Sequence, residues 1–304
     1  MATNIFITGA SGCVGHYLFD ALVNNPEYSL YLLVRDPSKL RYDSAAFANV
    51  KVIQEDLRNI ENLAAIIKEM DYIIHVAAAW GSAAENYEWT LDLFRALDPE
   101  RCQKVIYFST ASILGPDGQP TAKAETCGTH YIRSKYRLHK NLPSLKIYPK
   151  VTTIFPTWVL GGDNRHPYSH ATQGIMDLKK WLPLISLFTI DASFHYIHAR
   201  DLALITGYLL DHEIKEKELI VGNAPTTASQ FLRAVCAYYH VPVYFQLPIS
   251  LPLVKGLARM TGHQLAPWDI YCFEQRHFVF KTVNAATFGL SDNLSTIGQI
   301  LGSI

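Results

Sequence analysis

Asn4-Ile5-Phe6-Ile7-Thr8-Gly9-Ala10-Ser11-Gly12-Cys13-Val14-Gly15 is the stretch on which the reading of the whole chain turns. Residues 4–8 are an apolar, β-branched run of strand length, the pattern of a strand buried on both faces. From Val14 to Asn24 the apolar side chains return at helical spacing, so a helix follows the strand almost at once. Three glycines sit at the join. Gly9 and Gly12 let the backbone turn tightly and come close to a ligand, and Gly15 lets the helix lie against the strand. The first turn of that helix carries N–H groups with no partner and the positive end of the helix dipole. Gly9, Ser11, Gly12, Cys13 and Val14 are therefore expected to hold a pyrophosphate. A glycine triplet alone is a weak signal; its place directly after the first strand gives it weight.

The same alternation continues outward. Further strands are predicted at 29–34, 50–54, 72–76, 104–109 and 151–155, with helices at 14–24, 60–68, 87–97 and 131–141. Short apolar strands alternating with amphipathic helices predict an α/β fold, a Rossmann-type doubly wound parallel sheet. Beyond Pro156 the alternation gives way to a Gly-, Pro- and aromatic-rich stretch, 157–181, with further elements at 194–197, 199–211, 219–221 and 227–239. The expected organisation is a dinucleotide-binding domain over 1–156 and a smaller, mainly substrate-binding region over 157–304. The two are interleaved, parts of 190–221 returning to the Rossmann core.

Composition narrows the function classes. The chain has 304 residues, 49% of them hydrophobic, with Lys plus Arg and Asp plus Glu both at 27 and a net charge of zero. No surplus charge supports nucleic-acid binding, so a small-molecule partner is expected. The five cysteines are widely spaced and form no metal or disulfide pattern, as in a reducing compartment. No secretion signal is read at the start and the longest apolar stretch, 181–190, is too short to span a bilayer, so a cytoplasmic protein without a membrane partner is expected. The twelve histidines, among them His166, His170, His195 and His198, do not assemble a metal motif, and no metal site is expected. Residues 251–260, mostly apolar with Lys255 and Arg259, read as a pocket lid or core helix in preference to a membrane-surface helix.

Two positions define the chemistry further. At the end of the second strand stands Val34-Arg35-Asp36-Pro37, where an acidic residue binds the 2′-hydroxyl of NAD and an arginine accommodates the 2′-phosphate of NADP. Arg35 points to NADP(H), with NAD(H) possible if Asp36 is the ribose ligand and Arg35 a solvated charge. Lys39 is a further phosphate candidate. Asp56 and Leu57 end the third strand near the expected adenine edge, and Ala77 and Ala78 offer small side chains where the fourth strand approaches the cofactor. At Tyr131-Ile132-Arg133-Ser134-Lys135 a tyrosine and a lysine share one helix face a turn apart. A tyrosine so placed can give its proton to a developing alkoxide, and a neighbouring ammonium favours its phenolate. The spacing is common by chance, but here it follows a strand that ends in Ser109-Thr110-Ala111-Ser112 at the open edge of the sheet.

Taken together, these segments resemble the extended short-chain dehydrogenase/reductase family, the NAD-dependent epimerase/dehydratase-like proteins, over about residues 3–210. The resemblance runs through the glycine motif, Asp56-Leu57, His75-Val76-Ala77-Ala78, the helix led by Asn86, Tyr131/Lys135, Pro156-Thr157-Trp158-Val159-Leu160-Gly161 and 196–203. It implies that Thr110 is the catalytic hydroxyl, counted back from Gly115, with Ser109 and Ser112 as rivals. It implies that Tyr131 is the general acid/base, that Lys135 binds the nicotinamide ribose, and that Pro156 and Val159 line the nicotinamide. It also implies a homodimer through the helices at 87–97 and 131–141. Trp89 stands where the family has glycine and Phe155 where it often has arginine, which counts against a sugar-nucleotide substrate; 34–37 leans toward the dihydroflavonol reductase-like branch. The expected function is NADP(H)-dependent reduction of a ketone or aldehyde, with Trp80, Ser112, Trp158, Tyr168 and Tyr196 as substrate-pocket candidates. The alternatives are a nucleotide-sugar epimerase or dehydratase with retained NAD(P), and a non-catalytic NADP-binding regulatory or assembly protein.

Overall fold

The computed structural model describes residues 2–78, 83–260, 264–290 and 294–304, with the side chains of 83–86 and 257–260 excepted. In chain order the elements are β1 (Thr3–Thr8), α1 (Cys13–Leu22), β2 (Tyr28–Val34), β3 (Val50–Gln54), α2 (Ile60–Ile67), β4 (Tyr72–His75), α3 (Ala83–Ala96), β5 (Lys104–Phe108), α4 (Ala122–Thr126), α5 (His130–Asn141), β6 (Val151–Pro156), β7 (Trp158–Leu160) and α6 (His170–Leu178). Seven strands form one parallel sheet in the order Glu218–Val221, β6, β5, β4, β1, β2, β3. β1 lies between β2 and β4, so the chain winds outward in one direction and then in the other. That reversal opens a crevice at the carboxyl ends of β1 and β4, where ligands of such sheets bind.

Strand alternation explains why the sheet is covered on both sides. Ile5 and Ile7 enter one apolar layer with α1 and the helix Ala199–Asp211; Phe6 enters the other with residues of α2, α3 and α5. β5 divides likewise, with Ile106 and Phe108 on the first side and Val105 and Tyr107 on the second. Phe6 is fully buried, and truncating such a side chain to alanine costs about 3–5 kcal/mol.

Beyond β6 the elements are shorter. β7 pairs in parallel with Tyr196–His198, and these rest on the helices Ala228–Tyr238 and Ile297–Gly302 through a third core around Leu160, Phe231, Val235 and Ile300. The single element predicted at 194–197 is two strands. Ser193–Phe194 pairs antiparallel with Thr226–Thr227, and the break falls at His195, whose ring bridges the carbonyl of Asn223 and the N–H of Phe280. α3 begins at Ala83, four residues before the predicted start, and α4, β7 and α6 were not predicted. The helix at Leu251–Met260 is not a core helix, since none of residues 251–256 is buried. No helix among the described residues is long and apolar enough to cross a membrane.

Candidate active site

The turn after β1 is fixed by close packing of backbone on backbone. Gly9 adopts φ +76°, and a Cβ there would lie 2.7 Å from the amide nitrogen of Ala77. A Cβ on Gly15 would lie 2.2 Å from the Gly9 carbonyl oxygen, so α1 can reach its place only without a side chain at that position. Thr8, at the end of β1, locks the neighbouring strand: its hydroxyl lies 2.8 Å from Nδ1 of the buried His75 and accepts from the Ala77 N–H, while Nε2 of His75 lies 2.8 Å from the Thr90 hydroxyl on α3. Burial, then the nearby Lys135 ammonium, holds His75 well below its ordinary pKa, so it serves as a neutral bridge between β1, β4 and α3. α1 has no side-chain cap and no acidic residue in its first turn. The Gly12 N–H donates to the Gly9 carbonyl at 3.0 Å, and the N–H groups that follow it in the first turn, beside Ser11, Cys13 and Val14, fit an anionic group such as a pyrophosphate. Cys13 is no nucleophile, because burial and then the Asp163 carboxylate push its thiol up to about 12.

At the far end of the crevice, Arg35, Gln54, Glu55, Asp56 and Arg58 line a surface depression past β2 and β3. Arg35 is exposed. One oxygen of the Asp36 carboxylate accepts from the Ser38 hydroxyl at 2.6 Å and the Ser38 N–H at 3.1 Å, capping a short turn. Asp56 accepts from the Arg58 N–H at 2.9 Å and pairs with its guanidinium at 3.0 Å. Burial works against its charge, but these bonds outweigh it and hold the carboxyl below the usual range. Leu57 packs on the second core layer, and Ala77 and Ala78 carry the chain over the end of β4.

Thr110, Tyr131 and Lys135 come together beyond the end of β5. The Thr110 side chain hydrogen-bonds the Tyr131 phenol and also receives the Ser112 N–H at 3.2 Å, which fixes its rotamer. Burial raises Tyr131 to about 12, opposed by the Thr110 bond, so the phenol is protonated at neutral pH. Lys135 is 1% exposed and donates from Nζ to the Phe108 carbonyl at 2.8 Å. Nζ lies 4.8 Å from the centre of the Tyr107 ring and 5.9 Å from that of Tyr131. Burial lowers its pKa to about 7. Ser109, the rival hydroxyl, is buried beside the Tyr107 phenol, whereas Thr110 reaches Tyr131.

Residues 5–222 match the model of the NAD dependent epimerase/dehydratase family. The chain belongs to that family. No curated protein sequence matches it. Among solved structures it is similar to gox2253, at 21% identity and TM-score 0.73 with 98% of this chain and 97% of that one covered. It is also similar to the Bordetella bronchiseptica enzyme WbmG, solved with NAD and UDP, at 15% identity and TM-score 0.70 over 100% and 94% of the two chains. The UDP-glucose 4-epimerase of Thermotoga maritima, solved with UDP-glucose, aligns at 16% identity and TM-score 0.66 over 99% and 97%. The chain is thus an enzyme of the NAD dependent epimerase/dehydratase family.

The side of the crevice beyond Tyr131 is built of aromatic rings. Pro156 ends β6, and β7 begins with Trp158, which is 51% exposed and meets Phe194 and Phe231 edge-on at 5.2 and 5.7 Å. Val159 follows, packed toward the sheet. Tyr131 borders an apolar cluster shared with Ile220, Trp268 and Phe280, the last two brought in by the C-terminal segment. Sequence reasoning missed Trp268 and Phe280; Pro267 at the start of a helix marked the element but not where it docks. Tyr196 is not a pocket residue: its ring lies in the third core and its hydroxyl donates to the Ser295 carbonyl at 3.0 Å. Tyr168 is half-buried against Gly162, and Ser112 is half-buried and gives its backbone N–H to the Thr110 side chain. Trp80 lies outside the described residues. Among the described residues no cluster of histidine, cysteine or carboxylate side chains could hold a metal ion. His166 bridges Asp163 at 2.8 Å and Asp20 at 2.9 Å, tying the 161–169 loop to α1.

Proposed function

We propose that this protein is an NADP(H)-dependent oxidoreductase that reduces a ketone or aldehyde carried on an apolar or aromatic small molecule. The observation that carries the reading is the end of β2, where Arg35 is exposed beside the depression while one oxygen of the adjacent Asp36 carboxylate is bonded to Ser38. A guanidinium there suits a 2′-phosphate, and a phosphorylated nucleotide suits a cofactor taken up and released at each turnover. The half-exposed Trp158 with Phe194, Trp268 and Phe280 supports the substrate class.

The nicotinamide, when bound, supplies a hydride to the carbonyl carbon. Tyr131 donates its proton to the carbonyl oxygen as charge develops there, and its high pKa keeps that proton available. Thr110 hydrogen-bonds the same oxygen and sets the tyrosine's orientation. Lys135, with one N–H on Phe108 and others free to turn, holds the ribose hydroxyls; its ammonium also favours the phenolate that remains. Ser11, Gly12, Cys13 and Val14 hold the pyrophosphate, Asp56 and Leu57 the adenine edge, and Ala77, Ala78, Pro156 and Val159 border the cofactor between.

A second reading, epimerisation or dehydration of a nucleotide sugar with retained NAD, is favoured by the structural likeness to WbmG and the Thermotoga epimerase. Dialysis followed by nucleotide assay, with NADPH absorbance followed on a panel of carbonyl compounds, separates the two. Freely exchanging NADPH that is consumed supports reduction; tightly retained NAD with turnover of a UDP-sugar overturns it. Absence of any turnover would leave a non-catalytic NADP-binding role. We propose also that the protein is cytoplasmic and that α3 and α5, which pack side by side, pair with those of a second copy.

A further inference from the structure

Large apolar side chains exposed to water are concentrated in one place. Of the eleven exposed among the described residues, seven lie in two segments. Leu178, Trp181 and Leu184 come from the first; Tyr244, Phe245, Leu247 and Leu253 come from the second, Tyr244 being 84% exposed. The segments are far apart in sequence but joined in space: Leu247–Pro248 pairs in parallel with Phe188–Thr189, and Ile249 donates its N–H to the Thr189 carbonyl at 2.8 Å. Gln246 adds a bond to the Phe188 carbonyl and is itself held by Ser229. The two segments thus lie side by side, and the large apolar side chains that they carry are left exposed.

Charge distribution says what kind of partner fits it. Residues 178–190 contain Lys179 and Lys180 and no acidic residue; residues 219–268, fifty in a row, contain Arg233, Lys255 and Arg259 and no aspartate or glutamate. In a chain with equal numbers of acids and bases this is a marked segregation. Lys179 and Lys180 are exposed, their ammonium groups 4.8 Å from the Tyr239 ring and 5.8 Å from the Trp181 ring. Of the flanking acids, Asp191 pairs with Arg276 at 3.1 Å, while Asp177, which accepts from the Gln173 amide at 2.8 Å, keeps its charge beside the two lysines. Apolar and aromatic side chains with lysines beside them match a lipid interface, where rings enter the headgroup layer and ammonium groups meet anionic lipid. A second copy fits worse, because a two-fold contact through this region would set cations against cations.

We propose that the region formed by 178–190 and 244–253 is a docking surface for an anionic lipid bilayer, on which the enzyme rests without spanning it. This departs from the sequence expectation of no membrane partner, and it does not depend on which reaction the enzyme catalyses. The test is co-sedimentation of the full chain with phosphatidylcholine vesicles, with and without phosphatidylserine, at low and high salt. Binding to the anionic vesicles that salt weakens is expected. The double variant Lys179→Glu, Lys180→Glu should weaken it by about tenfold or more. Trp181→Ser with Leu184→Ser should weaken it by about tenfold, with melting curves of both variants close to wild type. These residues are exposed, so the fold does not depend on them. No sedimentation with anionic vesicles at low salt, or equal sedimentation with neutral ones, overturns the proposal. So does a doubled mass by light scattering that the same variants halve while vesicle binding is absent, which would assign the region to a second copy.

Discussion

The two ends of the cofactor crevice are made by different means. The proposed pyrophosphate end is made of backbone: Gly9 and Gly15 are required because a Cβ on either would run into the main chain, and the groups offered to an anion are the amides of α1. The proposed substrate end is made of side chains from distant segments, Trp158 from β7, Phe194 from a two-residue strand, Trp268 and Phe280 from the C-terminal stretch. A backbone site tolerates almost no change of residue and accepts one ligand. A side-chain site can be rebuilt one ring at a time, so a single fold can serve many substrates.

The sharpest way to break this contrast is at Gly15. Its added methyl would sit 2.2 Å from the Gly9 oxygen, a main-chain atom that cannot swing aside. Gly15→Ala should cost about 3 kcal/mol or more, the upper end for an overpacked site, and should abolish nucleotide binding. Urea unfolding and nucleotide titration measure both; an unfolding midpoint and affinity equal to wild type would show that the turn is not rigid.

Next comes Tyr131→Phe, which removes one oxygen at the point where the two ends meet. Turnover should fall by about 10²-fold or more while NADPH affinity stays the same, because the lost group acts on the reacting oxygen alone. Stopped-flow hydride transfer and cofactor titration separate these quantities. Near-normal turnover would remove Tyr131 from the mechanism.

The backbone end was legible in the sequence and the side-chain end was not, for a physical reason. Gly9, Gly12 and Gly15 act within eight residues of one another, so a local pattern carries them. Tyr131 and Lys135 are a turn apart on one helix and were readable in the same way; Thr110 was reached only through the family resemblance, counted back from Gly115, with Ser109 and Ser112 left as rivals. The third core, by contrast, joins Leu160 to Phe231 and Ile300, and no local period records that pairing. Tyr196 shows the cost: as part of an aromatic-rich sequence it read as a pocket residue, whereas its partner, the Ser295 carbonyl, lies 99 positions on. The elements missed, α4, β7 and α6, are short and lie between turns, where alternation is too brief to show a period.

Arg35→Ala sharpens the contrast inside the cofactor end, since Arg35 is a side chain serving a site otherwise made of backbone. Charge-assisted bonds to a 2′-phosphate contribute about 1.5–3 kcal/mol, so NADPH affinity should drop by roughly 10- to 100-fold. NADH, which has no such phosphate, should bind almost as before. Fluorescence titration of both nucleotides on both proteins gives the ratio. An equal loss for the two would mean that Arg35 supports the fold alone, and a wild type preferring NADH would return the ribose to Asp36.

The smallest expected effect is the most informative about the substrate end. Trp158 is half exposed and leans on Phe194 and Phe231. Removing a fully buried tryptophan costs about 3–5 kcal/mol of stability, but this one has little burial to lose, so Trp158→Ala should leave the unfolding midpoint almost unchanged. If its open face is part of the substrate wall, the apolar area lost to a bound ketone is worth about 1–2 kcal/mol, or roughly tenfold in KM. kcat should hold, because such contact is made equally in the ground and transition states. A comparison of apolar and polar carbonyl substrates decides it: the rise in KM should be confined to the apolar ones. A uniform change across both, or a fall in stability of several kcal/mol, would place Trp158 in the core with Tyr196 and remove the aromatic wall from the site.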